Sequence, residues 1–178
     1  MTLRIVMAGL VGGLAMFAFI ATMHFSPLSL SGVQTMPREG LITETLASGV
    51  GGSGGFYAFP ADPGAPETRA SGLLVFNIAN VRMNTPPRFA AELAKDVVQA
   101  LFLAMLLALS RPARFWPRLG LAGIAGALVA LTVNGSHAIW FGFPLSYVLP
   151  QGAIVLVSYL LAGAVIALLL PRISTDRT

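Results

Sequence analysis

Four apolar blocks constrain this chain more than any other feature of its sequence, because each approaches the length a helix needs to cross a bilayer. A hydrocarbon core of about 30 Å takes roughly 20 residues at about 1.5 Å per residue. Residues 5–23 run nineteen positions without a charge, and residues 119–140 and 152–170 are comparable. Residues 97–109 are short alone, but Pro86 and Pro87, preceded by Asn84 and Thr85, make a helix start that carries the helix through Glu92, Lys95 and Asp96 into the apolar run. Composition agrees: 56% of residues are hydrophobic and 10% charged, against about a quarter charged in a soluble domain. The reading is an all-α membrane protein, one domain over residues 1–178. It is a four-transmembrane-helix bundle with spans 5–24, 88–110, 118–140 and 151–171 and an extracytoplasmic loop at 25–87.

The first block competes with a signal peptide, since Arg4 supplies a basic start. Its apolar run is longer than a usual signal core and no clean small-x-small cleavage site follows, so a retained anchor is expected. Pro117 and Pro171 fall at helix boundaries, where proline does least harm.

Charge sets the orientation. Arg4, Arg111, Arg114, Arg118, Arg172 and Arg177 flank the spans on one side, with Asp176 beside them. The segment between the first two spans carries Arg38, Arg69, Arg82, Arg88 and Lys95 against the six acids Glu39, Glu44, Asp62, Glu67, Glu92 and Asp96. By the positive-inside rule both termini are cytoplasmic. Topology thus accounts for the net charge of +4, and nucleic acid is not an expected partner.

The long loop changes character along its length. Residues 37–47 read as a short surface helix, with Leu41, Ile42 and Leu46 toward the bundle or membrane. Gly49, Gly51, Gly52, Gly54 and Gly55 resemble a phosphate-cradling loop only superficially, because Phe56 and Tyr57 follow where Lys and Ser or Thr are needed. They read as a linker or wide turn. Residues 56–59 and 73–78 have strand composition around a loop with Pro60, Asp62, Pro63, Gly64 and Pro66. A hairpin capping the helices or a partner is expected, an unstructured loop being the rival, since two strands alone are marginally stable.

Six polar residues converge on one level of this topology, near the outer membrane face: His24, Glu92, Asp96, Gln99, Asn134 and His137. Ionisable groups within spans face the interior or a cavity and are functional candidates. Imidazole with carboxylate is chemically a metal set, yet Lys95 beside Asp96 and Glu92 explains the charges as an ion pair, and the histidines suit the headgroup level. No metal, no cofactor and no catalytic residue is assigned. The chain has no cysteine and two histidines, which rules out disulfide and iron–sulfur chemistry and a two-haem cytochrome needing four axial ligands. A proton-coupled exporter would place its carboxylate alone near the midplane. No nucleophile elbow is present, and an enzyme is not expected.

Gly9 and Gly13 on span one, Gly120, Gly123 and Gly126 on span three, and Gly163 on span four are helix-packing candidates. Trp116 with Phe115, and Trp140, Phe141, Phe143 and Tyr147, form interfacial belts. WFGFPLSY at 140–147, GFYAFP at 55–60 and NTPPRF at 84–89 carry a resemblance to a group of small four-span bacterial inner-membrane proteins of unassigned activity. That resemblance implies the architecture and a multi-pass place in a bacterial cytoplasmic (inner) membrane, and no ligand or catalytic residue. The leading expectation is a non-catalytic accessory or assembly-type subunit, its partners the lipid bilayer and other membrane protein subunits. The alternative is a ligand-binding protein or small proton-coupled transporter using the outer polar cluster.

Overall fold

The computed structural model describes residues 2–62, 64–67, 70–77, 85–110 and 114–171. Pro63, Arg69, Ile78, Arg82, Asn84, Arg111, Arg172, Asp176 and Arg177 lie outside the described residues. The chain is mostly helical: α1 (Thr2–His24), α2 (Glu39–Gly49), strands β1 (Gly55–Phe59) and β2 (Gly72–Phe76), α3 (Pro86–Ser110), α4 (Phe115–Ala130), α5 (Ser136–Phe141) and α6 (Leu145–Leu169). Four segments are long and apolar enough to cross a membrane, as expected of a multi-pass membrane protein: α1, α3, the continuous run Phe115–Phe141, and α6.

These four pack antiparallel in sequence. Helix α1 lies between α3 and α6, α4 lies on α6, and α3 touches α6 and α4 less extensively. A small-residue core of Ala8, Ala100, Ala104, Ala122 and Ala162, filled out by Met16, Leu103, Leu107, Tyr159 and Ile166, closes the centre. Leu109, Ile124, Leu128, Ile139 and Leu168 point outward and are exposed, which only lipid makes favourable on this scale.

Two elements differ from the sequence expectation. Helix α6 begins at Leu145 and runs through Pro150, so the turn expected up to residue 150 is already helical. Pro150 lacks one donor, a loss that membrane helices tolerate when neighbouring groups re-satisfy the backbone. The third span is interrupted by a π-turn over Leu131–Gly135, where the widened backbone places Asn134 inward and its Nδ2 donates to the Ala130 carbonyl oxygen at 3.2 Å. Gly142, at φ 66°, ends α5 in the left-handed conformation glycine adopts without steric cost.

Between α1 and α3 the strands form an antiparallel two-stranded sheet, Phe56 opposite Val75 and Tyr57 opposite Leu74. Gly51 and Gly52, both left-handed, end α2. Leu41 of α2 is exposed. The first turn after α1 is tied down instead: Gln151 Nε2 donates to the Ser29 carbonyl at 2.9 Å.

Candidate functional site

Along α1, Gly9 and Gly13 bring α3 close, since a Cβ on Gly13 would stand 2.6 Å from the Val97 Cα and one on Gly9 2.9 Å from that of Leu101. Past Gly13 no glycine remains on α1, and the next residues facing α3 are Phe17, Ile20, Ala21 and His24. The helices that touch over one half therefore part over the other, enclosing a cleft of about 450 Å³. One wall, from α1, is apolar along Phe17, Ile20 and Ala21 and ends on the His24 imidazole. The other comes from α3 and carries Arg88, Phe89, Ala91, Glu92 and Lys95. Phe25, just past α1, stacks on Phe89 at 6.3 Å between ring centroids.

Lys95 organises the charges. Its ammonium lies 2.5 Å from Glu92 Oε1 and 3.3 Å from Asp96 Oδ1. Lys95 and Glu92 remain partly exposed, whereas Asp96 is fully buried and neither of its oxygens accepts a hydrogen bond among the described residues. The ion pair is thus held mainly by Glu92, and Asp96 receives only a long lateral contact. Depth makes this unusual. Val97 packs on Gly13, the midpoint of α1, and Asp96 is roughly 15 Å along α3 from its start. It lies at mid-length of the helix pair.

The six polar candidates do not form one site. His24 and Glu92 line the cleft, with Asp96 behind Lys95. Gln99 is half-buried one turn further along α3. Asn134 is buried in the π-turn on the α6 side, near Gly152. His137 stands among aromatic rings, 5.8 Å from Phe141 and 5.1 Å from Phe143, away from the cleft. Among the described residues no group of three or more His, Asp and Glu side chains is disposed to hold a metal ion.

Of the packing glycines, Gly126 meets Tyr159, Gly123 meets Leu160 and Gly163 meets Ala122, all across the α4–α6 contact. Gly12, absent from the sequence candidates, meets Ile166. Gly120 departs from expectation: a Cβ there would have nothing within 4 Å, because it falls on the outward side of α4.

Arg118 is the residue that sequence reasoning missed. Counted as an inward-side charge, it is instead buried, with Nη1 donating to the Ala167 and Leu170 carbonyls at 2.9 and 2.8 Å and Nη2 to that of Pro171 at 2.6 Å. It caps the carbonyl end of α6, where unpaired acceptors and the helix dipole both favour a cation. The cleft lining was legible in principle: Phe17, Ile20, Ala21 and His24, like Arg88, Ala91, Glu92 and Lys95, follow the three- and four-residue spacing of one helix face.

The chain matches no family model, no curated protein and no solved structure.

Proposed function

We propose that the chain is a non-catalytic multi-pass protein of a bacterial cytoplasmic membrane, an accessory or assembly-type subunit whose outer segment docks on another membrane protein subunit. The hairpin carries this reading. Phe56 and Val75 stand opposite each other on one face of the two-stranded sheet and are 65% and 69% exposed, while among the described residues no helix packs extensively against the sheet. Two strands with both edges open and an uncovered apolar face need a surface to lie on. A partner subunit would supply it. Termini on the cytoplasmic side, with residues 25–87 as the outer cap, follow from the arginines clustered at the other end, and the resemblance to small four-span inner-membrane proteins supports the same arrangement.

Native mass spectrometry of particles released by a mild detergent tests the reading. A larger assembly of fixed stoichiometry is expected for the native chain and a lone, folded bundle for Phe56→Asp with Val75→Asp. A native chain released as a monomer or small homo-oligomer overturns it. A second reading, ligand binding, is favoured by the cleft between α1 and α3, lined by His24, Glu92 and Lys95.

A further inference from the structure

We propose that the cleft between α1 and α3 is a binding site for one phospholipid of the surrounding membrane, its phosphate on Arg88 and an acyl chain along Phe17, Ile20 and Ala21. This inference goes beyond the subunit reading and is independent of it. The cleft has two unlike walls, α1 being apolar along Phe17, Ile20 and Ala21 with His24 at its end, and α3 carrying Arg88, Glu92 and Lys95 beside Phe89 and Ala91, so an occupant amphiphilic along its length fits it best. At about 450 Å³ it lies within the range of small-molecule sites, roughly 300–1,000 Å³.

The charges assign the polar end. Lys95 is engaged by Glu92 and Asp96, and its stem leaves methylene surface in the cleft. Arg88, one turn nearer the start of α3, forms no ion pair among the described residues and is exposed at the mouth. A guanidinium there offers the planar fork that suits a phosphate diester. Phe25 and Phe89, stacked beside it, give the aromatic surface expected at headgroup depth. The site opens along helices long enough to span a bilayer, so its ligand arrives laterally from the leaflet. A free phosphate would have no use for the apolar wall.

The test uses the full chain purified in a mild detergent, read by native mass spectrometry after addition of dioleoylphosphatidylglycerol, dioleoylphosphatidylethanolamine, dioleoylglycerol or inorganic phosphate. One molecule of either phospholipid per chain is expected to survive detergent removal in the gas phase, with dioleoylglycerol and phosphate lost. Arg88→Gln should weaken phospholipid retention roughly tenfold, the value of one charge-assisted contact. Ala21→Phe and Ala91→Phe, which fill the cleft from opposite walls, should abolish it while the melting temperature stays near that of the native chain. Equal retention of dioleoylglycerol, or retention untouched by Arg88→Gln and by whichever filling variant folds, would mean nonspecific annular lipid and overturn the proposal. Retention of a protein helix in place of lipid would overturn it as well.

Discussion

The α4–α6 contact and the α1–α3 contact use the same small-residue device but finish differently. Between α4 and α6 the close approach at Gly163 and Ala122 and at Gly126 and Tyr159 continues to the helix ends, where Arg118 closes it by donating to three carbonyls. Between α1 and α3 the approach stops at Gly13, a cleft follows, and the buried Asp96 beside it accepts no hydrogen bond among the described residues. Both regions bury an ionisable side chain. Burial alone therefore does not distinguish a structural charge from a candidate site; the number of partners does. Arg118 completes unpaired acceptors that the fold creates anyway, whereas Asp96 carries a desolvation cost that its neighbours only partly offset.

Substitutions test this contrast, read as thermal or denaturant unfolding of the purified protein in micelles. The largest effect is expected for Gly163→Leu, since even a Cβ would overlap Ala122; a loss of about 3 kcal/mol or more follows from forced separation of α4 and α6. A mild change there would show that the seam is plastic. Arg118→Met should cost about 2–3 kcal/mol, because the carbonyl ends of α6 lose charge-assisted donors. If that variant were neutral, the cap would be replaceable by water and the difference between the two buried charges would collapse.

Asp96→Asn should behave in the opposite way, staying within about 1 kcal/mol of the native chain or exceeding its stability. A loss above 2 kcal/mol would place Asp96 with Arg118 among the structural charges. Lys95→Gln sharpens the same point. It should cost about 1 kcal/mol, a value kept small by the half-exposed ammonium, and the cost should shrink in the Asp96→Asn background. The smallest effect is expected for Gly120→Ala, which meets open space and gains at most about 0.5–1 kcal/mol of helix preference. A clear destabilisation there would place Gly120 in an interface.

Legibility from sequence varied by kind of feature. The four spans were readable because hydrophobic length against bilayer thickness is a local quantity, and two short apolar runs around a proline-rich loop gave the strand composition of the hairpin, though its register of Phe56 opposite Val75 came only from the structure. Helix boundaries were less so. Pro150 suggested a later start for α6, but proline's lost donor is tolerated when neighbours compensate, and no residue pattern announced the π-turn at Leu131–Gly135. Spacing could have grouped Phe17, Ile20, Ala21 and His24 on one face; it could not say that this face looks across a gap.

The glycine pattern makes the division clear. Sequence alone determined which helices carry small residues, and equally nominated Gly120, Gly126 and Gly163. Which of them meets a neighbour depends on the rotation of each helix about its axis, settled by packing of all four spans at once. The same holds for charge. Sequence placed Arg118 and Asp96 near helix ends and counted their signs, since topology responds to charge number near the spans. Only the tertiary structure decided that Arg118 reaches the end of α6, whose open carbonyls lie 49 to 53 residues away, while Asp96 is buried with Lys95 at 3.3 Å and no hydrogen bond to its oxygens among the described residues.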